Sequence, residues 1–113
     1  MQKPIIISGR DSLRVEVYLI GYAPEGESVV LLMRDLKCNA ILYSIVVDCY
    51  EDENCHKTFD ILDSNGIGHS KLDVLCWTHP DRDHSNGIDS IIKSYCNKEG
   101  SVLSSVSGVG SAI

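Results

Sequence analysis

The feature that most constrains this chain is a change of hydrophobic period about halfway along it. Arg14-Val15-Glu16-Val17-Tyr18-Leu19-Ile20 begins by alternating charged with apolar residues, the mark of a strand in a sheet with one wetter face. Gly21 to Glu27, with Pro24 and Gly26, reads as a turn segment. Ser28 to Met33 resumes an apolar run, and Arg34 to Asn39 breaks it. Ala40 to Val47 is β-branched, long enough for a buried strand, and stops at Asp48. Three strands joined by short breaks predict an antiparallel meander.

Beyond Asp48 the pattern becomes helical. From Asp52 to Asn65, the positions of Phe59, Ile61 and Leu62, with Cys55 upstream, suit one side of a helix. Glu51, Asp52 and Glu53 near its start favour the helix dipole, and Asn65-Gly66 marks its stop. Leu72 to Trp77 is a further, mostly apolar strand. Strand, helix and strand in this order predict a βαβ crossover and an α/β layered domain. Ile88, Ile91, Ile92 and Tyr95 recur at helical spacing and predict an amphipathic helix. From Gly100 to Ile113 the chain is rich in Ser and Gly and carries no charge, which suits either a flexible tail or another strand and turn.

A chain of 113 residues, 43% hydrophobic and 23% charged, is enough for one domain or part of one. Its net charge of −6 argues against capture of nucleic acid by a broad basic face. A bound metal could still reverse the local field and admit a polyanion. The N-terminus lacks the apolar core of a signal peptide, and no apolar run is long enough to span a membrane. The expected location is cytoplasmic, without membrane association. The five cysteines (Cys38, Cys49, Cys55, Cys76 and Cys96) are odd in number and form no Cys-x-x-Cys pair, so they suggest neither a disulfide framework nor a zinc ribbon.

One polar segment stands apart. Thr78-His79-Pro80-Asp81-Arg82-Asp83-His84-Ser85-Asn86-Gly87 follows the apolar strand directly and opens into the amphipathic helix. It places four metal-ligand side chains, His79, Asp81, Asp83 and His84, within six positions. Imidazole with carboxylate suits Zn²⁺, Mn²⁺ or Fe better than a soft thiolate site would. In an extended backbone His79 and Asp81 point to the same side, whereas the adjacent Asp83 and His84 diverge. Such a loop can serve two neighbouring metal positions. The plainer alternative is a turn, because Asp, Asn, Gly and Pro are turn residues and Asp83 or Ser85 could cap the helix. His56 and His69 read as surface polar residues, Trp77 as a packing residue, and Arg82 either as a contact for an anionic substrate or as a partner of a neighbouring acid.

His79-x-Asp81-x-Asp83-His84, between a strand and a helix and followed by Asn86-Gly87, resembles the His-x-His-x-Asp-His signature of the metallo-β-lactamase fold superfamily, with Asp81 in place of its second histidine. The variant is similar to the lactamase-like domain of bacterial DNA-uptake channel proteins and related stand-alone hydrolases. Val15 to Ile20, Ser28 to Met33 and Ile45-Val46-Val47-Asp48 resemble the family's opening strands, so the likeness spans residues 14 to 95. It implies the N-terminal half of an αβ/βα sandwich over residues 1–99, with 100–113 a tail or a truncated continuation. It also implies a metal-dependent hydrolase holding two Zn²⁺ or Mn²⁺ ions in a complete domain. His79 and Asp81 would serve the first metal and Asp83 and His84 the second, with Asp83 the candidate proton acceptor. Asp48 would lie beneath the loop and orient it. The implied substrate is a phosphodiester, nucleic acid or another small molecule.

The family's later ligands, two histidines and a bridging aspartate, have no counterpart here. No histidine follows His84, and the one later aspartate is Asp89. This leaves a second expectation beside the hydrolase: a non-catalytic half-domain, with a vestigial or structural metal loop, that covers its unfinished sheet by binding a partner, a missing C-terminal half or a second copy of itself.

Overall fold

The computed structural model describes residues 3–8, 12–21, 27–51, 56–68, 71–78, 80–81, 85–96 and 102–105. Among them, six strands form one sheet in chain order: β1 (Ile5–Ser8), β2 (Leu13–Gly21), β3 (Glu27–Asp35), β4 (Ala40–Val47), β5 (Val74–Trp77) and β6 (Val102–Ser105). Helix α1 (Lys57–Ser64) joins β4 to β5, and α2 (Ile88–Ser94) lies between β5 and β6. Strands β1 to β4 are antiparallel, while β4, β5 and β6 are parallel. The chain is therefore an α/β domain, with both the predicted meander and the predicted βαβ crossover. Ile5-Ile6-Ile7 adds an edge strand that periodicity did not reveal. Of the two readings of the C-terminal stretch, residues 102–105 take the strand.

Strand order decides where the core lies. Three parallel strands that follow one another in both sequence and sheet order need two crossovers of the same hand, which put both helices on one face. That face holds the core: Tyr18, Val30, Leu32, Val46 and Leu75 from the strands meet Ile61 and Leu62 of α1 and Ile88 and Ile91 of α2. Ile92, expected on the same apolar face of α2, is exposed instead. The buried positions are Ile88, Ile91 and Tyr95, so Ile92 falls outside the stripe the sheet covers.

Both ends of α1 are closed by interactions specific to their residues. Its N-cap, His56, makes no capping bond, but the Glu51 carboxylate reaches across from before the helix and accepts the Phe59 N–H at 3.0 Å. At the other end Gly66 takes a φ of +75°. The Gly66 N–H then bonds the Asp63 carbonyl and the Ile67 N–H bonds the Leu62 carbonyl, the paired closure that a left-handed residue after a helix allows. Buried Ile67 and Leu62 supply its apolar contact.

The opposite face of the sheet inverts the expectation for β2. Residues paired in register share a face, so Ile5–Val17–Leu31–Ile45–Val74 forms one row across the sheet. Ile7–Val15–Met33–Tyr43 forms a second, and Leu19–Val29–Val47–Cys76 a third. All three rows are uncharged and lie on the face opposite the two described helices. The alternating charges of β2 had marked that side of the strand as the wetter one. Instead Glu16 is buried beneath the helices, and Val15, Val17 and Leu19 lie on the open side.

Glu16 tolerates burial because two guanidiniums neutralise it. Arg34 binds it in a fork, with Nε donating to Oε2 and Nη2 to Oε1, each at 3.1 Å, and Arg14 also donates to Oε2. Arg34 continues to Asn65 Oδ1 at 2.6 Å, and Asn65 Nδ2 donates to the Ile61 carbonyl, tying β3 to the end of α1. Burial alone would raise the Glu16 pKa, but its bonds to Arg34 and Arg14 hold it below the ordinary 4.5. A lowered native pKa adds stability above pH 4.5 that is lost as pH falls through the native value. Glu16→Gln should therefore destabilise the domain by about 3 kcal/mol at neutral pH, the order found when one member of a buried ion pair is removed. Urea denaturation at several pH values should show the difference from wild type shrinking below pH 4.5.

Candidate metal centre

The polar segment 78–87 leaves the sheet at the carboxyl end of β5, beside the carboxyl end of β4. In parallel α/β sheets this is where connecting loops converge and ligands bind. Both ends of the segment are fixed to one short stretch, Asp48 to Glu51, that follows β4.

Asp48 holds the first end. Its backbone N–H donates to the Cys76 carbonyl at 2.8 Å, extending the β4–β5 ladder by one bond. Its φ of +58° then turns the chain out of the strand, a conformation Asp adopts more readily than most residues. The buried carboxylate accepts the Thr78 N–H at 2.6 Å on Oδ1 and the Thr78 hydroxyl on Oδ2. Behind it, Thr58 of α1 donates to Ser28 Oγ at 3.0 Å, and Ser28 of β3 donates to the Asp48 carbonyl at 3.1 Å. The aspartate is thus held by strand, helix and sheet ladder together, and it grips the residue immediately before His79.

Glu51 and Cys49 hold the second end. The Glu51 N–H donates to the Asn86 carbonyl at 2.7 Å, and Asn86 Nδ2 donates back to the Glu51 carbonyl. Gly87 follows with a φ of +114°, and a Cβ there would lie 2.9 Å from Cys49 Sγ and 3.1 Å from Glu51 Cβ. Only glycine satisfies both the backbone angle and the close approach. Between the two anchors, Trp77 Nε1 donates to Ser85 Oγ at 2.8 Å and ties the strand end to the start of the helix. Trp77 also packs against the core, in keeping with its reading as a packing residue.

Of the four candidate ligands, Asp81 is placed on an exposed bend. His79, Asp83 and His84 lie outside the described residues, as do Arg82, Cys55 and His69. Among the described residues no three His, Cys, Asp or Glu side chains gather around a common point. The donor set itself, two imidazoles and two carboxylates on one clamped loop, fits a borderline or hard divalent cation. Asp48 stands where a carboxylate would fix the entry to such a loop without ligating the metal.

The anchoring stretch also contains groups that sequence reasoning passed over. Cys49 is buried against Gly87, and burial, reinforced by the Glu51 charge, pushes its thiol far up, so it behaves as an inert apolar residue. The Asn86 and Glu51 clamp is made largely of backbone groups and has no residue-type signature beyond Asn86-Gly87. Glu51 is buried, with Oε2 lacking a hydrogen bond among the described residues and His56 Nδ1 at 3.3 Å from it. Burial is the leading cause that raises the Glu51 pKa above 4.5, against the opposing Phe59 N–H bond. Here the linkage runs opposite to that of Glu16: the native state binds the proton more tightly, so stability falls as pH rises from 4.5 through the native value.

Two measurements check this geometry. Asp48→Ala should cost about 3 kcal/mol, because two hydrogen bonds to a buried carboxylate are lost together, and amide exchange at Thr78 should accelerate while that of β2 and β3 stays slow. Glu51→Gln keeps an acceptor for Phe59 and removes the buried charge, so it should match or exceed wild-type stability at pH 7 and lose that advantage below pH 4.5. No protein-family model, curated protein or solved structure matches this chain, so the site stands on its own chemistry.

Proposed function

We propose that the chain is the N-terminal half of a metal-dependent hydrolase of the metallo-β-lactamase type, acting on a phosphodiester or a related anionic substrate. The observation that carries this reading is the Asp48 carboxylate at the end of β4 holding Thr78, the residue that opens His79-x-Asp81-x-Asp83-His84. A turn of no functional consequence has little need for a buried charged anchor at one end and an obligatory glycine at the other.

On this reading His79 and Asp81 would hold one cation and Asp83 and His84 the other, and the bound cations would supply Lewis-acid activation of water and neutralise charge on the substrate. The chain contributes position and proton transfer. Asp48 fixes Thr78, the residue before His79 in sequence, and Glu51 fixes Asn86, two residues after His84. Asp83 would be the acceptor for the proton of the attacking water. Arg82 is placed in sequence to meet the substrate anion. Asp81 in place of an imidazole tilts its position toward Mn²⁺.

The test is direct titration of the purified chain with Mn²⁺ and with Zn²⁺ by calorimetry. His84→Ala should weaken binding at least about tenfold, and Asp48→Ala by about 10- to 100-fold through loss of positioning. Asp81→His should shift preference toward Zn²⁺. Equal occupancy in wild type and His84→Ala overturns the assignment. The loop offers two ligands to each position, whereas a catalytic zinc has three protein ligands and a water. These 113 residues alone should therefore give no measurable turnover of a chromogenic phosphodiester.

A further inference from the structure

On the helical side of the sheet a cleft of about 380 Å³ lies between α1 and α2. Phe59, Asp63 and Gly68 line it from α1 and the turn after it, and Ser90, Ser94 and Tyr95 line it from α2 and its cap. Its walls include neither the candidate metal loop nor the open face of the sheet, so its shape does not depend on what covers that face. Phe59 and Tyr95 form one aromatic wall, with ring centroids 5.4 Å apart and planes tilted by 33°. The Tyr95 hydroxyl donates to Asp63 Oδ1 at 2.9 Å and holds the carboxylate beside that wall. Among the described residues Asp63 has no other side-chain donor and no cationic side chain at ion-pair distance. Asp63 also stands in the last turn of α1, where no base accompanies it. The helix dipole is negative there, so that place disfavours an acid and attracts a cation. Burial and the Asp63 carboxylate push the Tyr95 phenol up, and Glu51 and Asp60 add to the same negative field. None of the lining residues carries a positive charge.

We infer that this cleft binds a small organic ammonium ion, seated against the Asp63 carboxylate and the Phe59–Tyr95 wall. The charge of the lining selects a cation, and its chemistry selects an organic one. A hard divalent ion takes six or more oxygen ligands, and the cleft offers it a single carboxylate. An alkylammonium uses what else is there. Aromatic faces attract its charge through the ring quadrupole and cover its carbon chain. Ser90 and Ser94, one turn apart on α2, supply hydroxyl oxygens that accept from its N–H groups. The volume lies within the range of small-molecule sites and exceeds what a bare ion fills. Asp63 is exposed, so its charge alone would hold a cation only weakly. The rings and hydroxyls around it distinguish the cleft from any other surface acid. The inference does not depend on the metal reading.

The experiment is titration of the isotopically labelled 113-residue chain with n-butylammonium, read from backbone amide shifts in two-dimensional NMR spectra. So small a ligand should bind with a dissociation constant on the order of 1 mM. The shifts should saturate and map to Phe59, Asp63, Gly68, Ser90 and Ser94. Neutral 1-butanol should bind at least about tenfold more weakly, and potassium chloride at equal ionic strength should not reproduce the shifts. Asp63→Asn keeps the size of the side chain and an acceptor for Tyr95, and should weaken binding at least about tenfold. Phe59→Leu keeps apolar volume but removes a ring face, and should weaken it about threefold. Ser90→Leu, at a half-buried position, fills the cleft and should abolish binding with circular dichroism unchanged. Asp35→Asn, at the end of β3 and outside the cleft, should leave affinity as it is. Failure to saturate by about 50 mM overturns the inference, as does equal affinity for butanol or potassium. So does an Asp63→Asn variant that binds like wild type, or one that Asp35→Asn matches, since the effect is then one of overall charge.

Discussion

The Asp48 carboxylate joins the parts of this molecule that would otherwise be independent. Its backbone extends the parallel ladder, its carbonyl receives the Thr58–Ser28 relay from helix and strand, and its side chain grips Thr78. A buried carboxylate is costly unless its oxygens are satisfied. Here one is satisfied by a backbone N–H and the other by a hydroxyl, both from the same residue of a different segment. The arrangement converts desolvation into a positional constraint: the loop leaves the sheet at Thr78 in the geometry that keeps the aspartate bonded. Three residues later Glu51 does the same for the far end through its main chain, while its side chain closes α1.

Strand order is the second constraint, and it is topological. The antiparallel strands need only turns, but the two parallel connections each need a helix, and equal handedness sends both helices to one side. The other side is left to whatever else can cover it. Its apolar rows therefore do not arise from weak amphipathicity in the strands. Val15, Val17 and Leu19 alternate with Glu16, Tyr18 and Ile20, and both sets are suited to burial, one under helices and the other under a further layer.

This explains what could be read from residues and what could not. Strands β2, β3, β4 and β5 and helix α1 announced themselves because local period and turn residues agree with the fold. The Asn65-Gly66 stop was legible because a left-handed residue after a helix favours glycine. Ile5-Ile6-Ile7 was not, since three consecutive apolar residues carry no period and become a strand only by pairing with β2. The faces of β2 are inverted relative to its charge pattern, because Glu16 is neutralised by Arg34, 18 positions away, and so tolerates burial. Asp48 was legible through a family resemblance and through its place at a strand end. The Glu51–Asn86 clamp was not, because one of its bonds joins two main chains and the other runs from the Asn86 side-chain amide to a carbonyl 35 residues away, a partner that local residue type does not indicate.

The two surfaces that remain after the core is accounted for share a border. Val47 and Cys76, the last apolar pair of the third row, immediately precede Asp48 and stand two residues before Thr78 respectively. Any layer that covers the open face therefore ends beside the polar loop and becomes the nearest source of further side chains for it. On the proposed metal reading, a two-fold copy of this chain would bring only a second set of the same four donors, related by symmetry, and not the differing ligands that would complete each position. A layer of different sequence on the same face could complete them. On the proposed reading, what covers this face decides whether the clamped loop remains a partial ligand set or becomes part of a catalytic centre.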